Sequence, residues 1–131
     1  YAEAVQSGRM PEKHPHIYMF IDGYGRFLQQ VDNRIQENIV RLMKNYSHLG
    51  FHIVVSGTNN ELTKGYDPLT LELKQVRQAL VLMKKSEQTL FTLAYDRQEQ
   101  EVQPGFGYYV ENGKEKRIQI PLMLVERKVS L

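Results

Sequence analysis

Five consecutive apolar residues, Ile17-Tyr18-Met19-Phe20-Ile21, give the first strong signal along the chain. Strict alternation would mark a sheet with one wet face, whereas an unbroken run predicts a strand covered on both faces, as in a parallel α/β sheet. The run stops at Asp22-Gly23-Tyr24-Gly25, where two glycines permit a tight exit. From Asn33 the period changes. Ile35, Ile39, Leu42, Met43, Tyr46 and Leu49 fall on one stripe of an amphipathic helix. Asn33 is placed to cap it, with Gln36 three residues on as in a capping box, and Gly50 stands where helices end in the left-handed conformation. Phe51-His52-Ile53-Val54-Val55 then predicts a second buried strand, ending at Ser56-Gly57-Thr58-Asn59-Asn60. Strand, helix and strand form a βαβ unit with a right-handed crossover, and ligands of such sheets bind beyond the carboxyl ends of the strands. Asp22 and the Thr58-Asn59-Asn60 group therefore share one rim.

The second half is patterned differently. Residues 59–68 read as a polar, turn-rich loop, followed by a third strand at Gln78-Ala79-Leu80-Val81-Leu82-Met83 and a short helix capped by Ser86 and running to Ala94. Gly107-Tyr108-Tyr109-Val110 and Arg117-Ile118-Gln119-Ile120 flank Asn112-Gly113, the strongest short hairpin signal, so residues 104–121 predict a terminal β-hairpin. Ahead of the first strand, prolines and charged residues separate off Tyr1-Ala2-Glu3-Ala4-Val5, which reads as the tail of a helix already under way. That start, without an initiator Met, predicts a piece of something longer.

Composition narrows the function classes. With 131 residues and 41% of them hydrophobic, the chain has the length and the apolar content of one ordinary domain. Lys and Arg number 17 against 15 Asp and Glu, a net charge of +2, which favours neither nucleic acid nor an acidic partner. Cysteine is absent, which excludes disulfides and thiolate zinc sites. No apolar run approaches the roughly 20 residues of a membrane span.

Asp22 is the most informative single residue. A carboxylate at the end of a buried parallel strand is what a Walker B strand offers to the magnesium of a bound nucleotide, although acids also cap strand ends and turns for purely structural reasons. His14 and His16 stand two apart, as ligands on one strand face can, but they bring no third ligand, and His52 reads as a core or rim histidine. Ser56 has no Gly-x-Ser-x-Gly elbow, so nucleophilic catalysis is not indicated. Lys84-Lys85 and Lys114-Glu115-Lys116-Arg117 are short runs, the second interrupted by an acid, and suit a solvated face better than a DNA groove. Tyr24, Phe106, Tyr108 and Tyr109 could form an exposed aromatic surface for peptides, against the plainer reading of ordinary packing.

Taken in order, His16 through Asp22, the helix to Tyr46, and Leu49-Gly50-Phe51-His52-Ile53-Val54-Val55-Ser56-Gly57-Thr58-Asn59 resemble the second half of an FtsK/SpoIIIE-type ATPase domain. Pro104-Gly105-Phe106-Gly107-Tyr108-Tyr109 and Gly113 through Arg117-Ile118-Gln119-Ile120-Pro121 are similar to the hairpin that closes such domains. Within the family the Phe20-Ile21-Asp22-Gly23-Tyr24-Gly25 run looks most like the last, degenerate ATPase-like domain of the membrane-anchored secretion ATPases of type VIIb (Esx) systems. Val125-Glu126-Arg127-Lys128-Val129-Ser130-Leu131 suits the C-terminus of such a protein.

The resemblance implies a RecA-like, P-loop NTPase-type parallel sheet flanked by helices, of which residues 1–131 are the C-terminal portion. Asp22, Thr58 and Asn59 become a vestigial nucleotide site, with Asp22 toward magnesium. Gly23 stands where active members place the catalytic Glu, Asn59 replaces the sensor Gln, and Asn60 replaces the arginine that often follows it. None of the nine glycines belongs to a G-x-x-x-x-G-K-[ST] loop, so ATP and magnesium require residues upstream. The family's P-loop strand would lie between the strands at 51–55 and 79–83, so that its absence exposes two sheet edges. The implied role is regulatory or substrate-recognising in the export of small, WXG100-like proteins, at the cytoplasmic face of the membrane. Its implied partners are neighbouring ATPase modules of the same polypeptide, secreted substrates and, in a homo-oligomer, further copies of itself. The rivals are an active ATPase with Glu61 as base and a fragment of a DNA translocase.

Overall fold

The computed structural model describes residues 3–4, 7–8 and 15–121. The opening stub, apart from Glu3 and Ala4, together with His14 and the C-terminal residues 122–131, falls outside the described residues. The chain divides into two compact units, Tyr1–Gln75 and Val76–Leu131.

In the first unit, strand β1 (Ile17–Ile21) leads into helix α1 (Tyr24–Gln30) and then helix α2 (Asn33–Tyr46). A 3-10 turn (Ser47–Leu49) ends on Gly50 at φ 93°, the left-handed position expected there. Strand β2 (Phe51–Val55) follows, then two short helices, α3 (Asn59–Thr63) and α4 (Pro68–Leu73). β1 and β2 pair in parallel, Ile17 opposite Phe51 through Ile21 opposite Val55, so the βαβ unit is present. The helix cap lies one residue earlier than the sequence pattern suggests. Asp32, not Asn33, accepts the Ile35 N–H on Oδ1 at 2.9 Å, and Gln36 is buried with its Oε1 accepting from Leu69 N at 3.3 Å. A carboxylate is an equally good cap.

Among the described residues the strands are not covered on both faces as expected. Ile21 is 5% exposed, but Phe20 is 72% exposed, Tyr18 56% and Val54 48%. α2 packs against β2 and α4. Tyr18, Phe20 and Val54 stand on the other face. Residues 59–68, read as a loop, instead hold α3, because Thr58 and Glu61 form a complete capping box, and Asp67-Pro68 starts α4 with a carboxylate cap and a proline in its first turn.

The second unit is a three-stranded antiparallel sheet, β3 (Gln78–Val81), β4 (Phe106–Glu111) and β5 (Lys114–Gln119), in the order β3-β4-β5. Asn112 and Gly113 both have positive φ, 50° and 76°, the left-handed pair that a two-residue hairpin turn requires. The expected hairpin is therefore observed. Two other expectations are corrected. The third strand, which pairs antiparallel with β4, stops at Val81 rather than Met83. No helix forms between Ser86 and Ala94: Gln88 ties the segment into a turn, its amide donating to the carbonyls of Lys85 and Phe91 while its Oε1 accepts Phe91 N at 2.8 Å. An amide that satisfies the backbone in this way competes with helical hydrogen bonding.

Candidate functional site

The carboxyl ends of β1 and β2 meet at Asp22 and Ser56. Ser56 donates from Oγ to Asp22 Oδ1 at 2.5 Å and accepts the Gly23 N–H at 3.1 Å. The ladder continues past the strands through Ser56 N to Ile21 O at 2.9 Å and Tyr24 N to Ser56 O at 2.9 Å. Gly23, at φ 76°, is what lets the chain turn directly from strand into α1 while its N–H still reaches Ser56. The sequence places Asp22 on this rim and Ser56 at the end of the second strand, but nothing local in sequence pairs the two.

Thr58 and Glu61 form the second element of the rim. Glu61 Oε2 accepts Thr58 N at 2.9 Å, and Thr58 Oγ1 accepts Glu61 N at 3.3 Å. Glu61 is thus committed to capping α3, which is a poor starting point for a general base. Its carboxylate lies in a groove bounded by two glycines. A Cβ on Gly25 would come within 2.5 Å of Glu61 Oε1, and one on Gly57 within 3.1 Å of Oε2. Asn59 is the first residue of α3, and its carbonyl accepts Thr63 Oγ1 at 2.6 Å. Asp22, Thr58 and Asn59 therefore all lie at the carboxyl ends of the parallel pair.

Beneath the rim is a buried polar relay. Tyr24 is fully buried, with its hydroxyl 2.7 Å from Thr70 Oγ1 and 3.4 Å from Asp67 Oδ2. Burial, reinforced by the Asp67 charge and opposed by the Thr70 hydrogen bond, pushes the Tyr24 hydroxyl up to about 12. Burial alone would raise Asp67 as well, but hydrogen bonds from the Thr70 hydroxyl and N–H outweigh it and hold the carboxyl below its ordinary value. Tyr24 is an anchor of α1, not part of an exposed aromatic surface.

Magnesium normally takes one or two carboxylates together with phosphate oxygens and water. At this rim Asp22 is a carboxylate with one oxygen engaged by Ser56. Among the described residues no group of three or more His, Asp or Glu side chains is arranged to hold a metal ion. His16 and His52 do meet, Nδ1 to Nε2 at 2.7 Å, with the Tyr18 ring stacked on His52 at 4.7 Å between centroids. The two rings share a hydrogen bond, which accounts for their proximity.

In the second unit Glu99 is the organising acid. It accepts Lys85 N at 2.6 Å and the Tyr108 hydroxyl at 3.1 Å. Burial would raise its carboxyl, but these donors and Ser86 N bring it below its usual range. The basic pair is also engaged: Lys84 binds Glu101, and Lys85 lies 3.2 Å from Glu115. A cavity of about 280 Å³ opens beside Glu99 and Tyr108, with Arg117 and Phe106 on its wall. Phe106, Tyr108 and Tyr109 are half-buried; the strongly exposed rings are Phe20, Tyr66 and Tyr95. Among the described residues no helix is long and apolar enough to cross a membrane.

No family model matches the chain. It is 51% identical over 129 residues to the ESX secretion system protein YukB of Bacillus subtilis (strain 168), an alignment covering 98% of this chain and 9% of that protein. It is 49% identical over 122 residues to the ESX secretion system protein EccC of Geobacillus thermodenitrificans (strain NG80-2), covering 92% of this chain and 8% of that protein. Among solved structures it superposes on EssC (ATPases 2 and 3) from Geobacillus thermodenitrificans with a TM-score of 0.82 and 49% identity, over 92% of this chain and 24% of that one. A structure described as the cytoplasmic domain of EssC matches with a TM-score of 0.81. The chain thus spans less than a tenth of the length of the curated relatives it matches.

Proposed function

We propose that this chain, which belongs to the EssC/YukB group of ESX secretion proteins along nearly its whole length, is a degenerate ATPase-like module of a type VII secretion motor. Its role in this reading is regulatory or substrate-recognising, at the cytoplasmic face of the membrane, beside neighbouring ATPase modules of the same polypeptide. The module is the later portion of a RecA-like domain. Asp22 is its vestigial magnesium-side carboxylate, and Thr58 and Asn59 are its vestigial sensor. Binding of ATP and magnesium needs residues upstream of Tyr1.

One observation carries the reading: at the rim Asp22 is followed by Gly23, while Glu61, on the neighbouring α3, is committed to the Thr58 capping box. A phosphate-cleaving site needs a group to orient the attacking water as well as the metal-side acid. The test is a titration of the full-length protein with magnesium ATP and, separately, with the tail of a small secreted substrate. Expected are substrate binding that requires this module and total ATP turnover unchanged by Asp22→Ala. Turnover lost in Asp22→Ala would instead establish an active motor domain.

A further inference from the structure

The hairpin of the second unit joins β4 to β5 through two residues, Asn112 and Gly113, with Glu111 opposite Lys114 at the base of the turn. Asn112 has φ 50° and is the one non-glycine residue with positive φ among the described residues; Gly113 has φ 76°. Both are exposed. A Cβ built on Gly113 would meet nothing within 4 Å, and a hollow of about 300 Å³, bordered by Val76, Arg77 and Phe91, lies beside the turn. Asn112 N donates to Arg77 O at 2.9 Å, but among the described residues no hydrogen bond holds its side-chain amide. Of the chain's six asparagines it alone precedes a glycine.

We propose that Asn112 is a modification site, deamidating spontaneously in the folded protein through a cyclic imide formed with Gly113. The reaction needs the Gly113 nitrogen to reach Asn112 Cγ. Positive φ at both central residues marks a type I′ turn, and type II′ differs from it by a flip of the peptide between them. The flip keeps φ of the first residue, turns φ of the second negative, and carries ψ of the first from about +30° to about −120°. At that ψ the Gly113 nitrogen eclipses Asn112 Cβ and stands within bonding reach of Cγ. Glycine passes between the two signs of φ without steric cost, and the Asn112 N–H bond to Arg77 lies on the other side of Cα, so neither opposes the flip. The backbone φ of Asn112 is already that of the reactive turn. In the attack a bond forms between Gly113 N and Asn112 Cγ while the Cγ–Nδ2 bond breaks. The Gly113 amide proton leaves with Nδ2 as ammonia. Water then opens the imide at either carbonyl, giving aspartate or isoaspartate, with no change of oxidation state. Either product sets a new carboxylate beside Arg77 and Lys114, both exposed. The isoaspartyl product also routes the main chain through Cβ and Cγ, so the two-residue turn no longer holds Glu111 opposite Lys114.

The experiment ages the full-length protein in mildly alkaline buffer made with heavy-oxygen water, one sample folded and one unfolded in urea. Both are digested with trypsin in ordinary water, and the peptide 98–114, which holds no other asparagine, is read by mass spectrometry. Conversion during ageing leaves a heavy oxygen at residue 112, which separates it from conversion during handling. Fragmentation by electron transfer distinguishes aspartate from isoaspartate. Expected is labelling of residue 112 in the folded sample at a rate within about tenfold of the unfolded one, because the reaction asks for a local flip and not for opening of the sheet. Both products should be present. Folded-state conversion slower than that margin would overturn the proposal, since the hairpin would then hold its turn against the flip. Aspartate without isoaspartate would overturn it as well, because an imide opens at both carbonyls.

Discussion

Ser56 Oγ donates to Asp22 Oδ1 at 2.5 Å, fastening the acid that ends one strand to the residue that ends its neighbour. The bond fixes where the carboxylate points and, through the Gly23 N–H, where α1 begins. Ser56→Ala should leave the fold intact and lower stability by about 1 kcal/mol, the usual net worth of such a bond. Urea unfolding of the wild-type and Ser56→Ala proteins measures this. A loss of several kcal/mol would mean that Ser56 does more than hold Asp22.

Tyr24 should give an alkaline signature. Its hydroxyl is raised from 10.0 to about 12 in the folded protein, so the neutral form is the one the fold prefers. The stabilisation it brings is complete below pH 10 and is lost as pH rises toward 12. In Tyr24→Phe this part of the alkaline loss should disappear, while stability near neutral pH falls by about 1 kcal/mol through the missing hydrogen bond to Thr70. Thermal melts at stepped pH on both proteins provide the check.

Glu61 separates a structural role from a catalytic one. Glu61→Gln keeps an oxygen for the Thr58 N–H and should cost little, whereas Glu61→Ala should cost about 1 kcal/mol as a lost cap contact. Neither should alter ATP turnover by the full-length protein. Gly25→Ala should be harmful because its new methyl meets Glu61 Oε1, and combining it with Glu61→Ala should recover part of the loss in a double-mutant cycle. Strict additivity would count against the contact.

Gly107 is a sharper steric case. A Cβ there would lie 2.5 Å from the Val81 carbonyl oxygen, a backbone atom that cannot rotate away. Gly107→Ala should therefore disturb the β3–β4 pairing and destabilise by about 2 kcal/mol or more. Hydrogen exchange at Leu80 and Tyr109 should report the damage locally.

A polypeptide extended upstream of Tyr1 should melt at a higher temperature than the 131 residues alone. Two parallel strands form a marginal sheet by themselves. Equal midpoints would remove the idea that further chain completes it.

Much of this was legible because the signals were local. The periodicity from Ile35 to Leu49, the positive φ of Gly50 and the Asn112-Gly113 turn each follow from residues close in sequence. Capping was less so: Asp32 and Asn33 are both good caps, and the backbone decides between them. α3 was missed because Thr58-Asn59-Asn60-Glu61 looks like a polar loop until Glu61 is recognised as the third residue of a capping box. The apolar run at Ile17–Ile21 was a sound strand signal, yet it said nothing about which side is covered here. Of the rim, Asp22 was readable from its place at a strand end, whereas the pairing with Ser56 depends on a partner 34 residues away.

The hairpin's last strand carries one more implication. β5 reads Lys114-Glu115-Lys116-Arg117-Ile118-Gln119 and, among the described residues, is the edge of its sheet. A foreign strand adding there would set its own side chains against Lys114, Lys116 and Arg117, all exposed. Cations on an edge discourage such pairing. This unit is thus guarded against runaway sheet growth on that side, which matters most in a crowded assembly where many identical edges come close together.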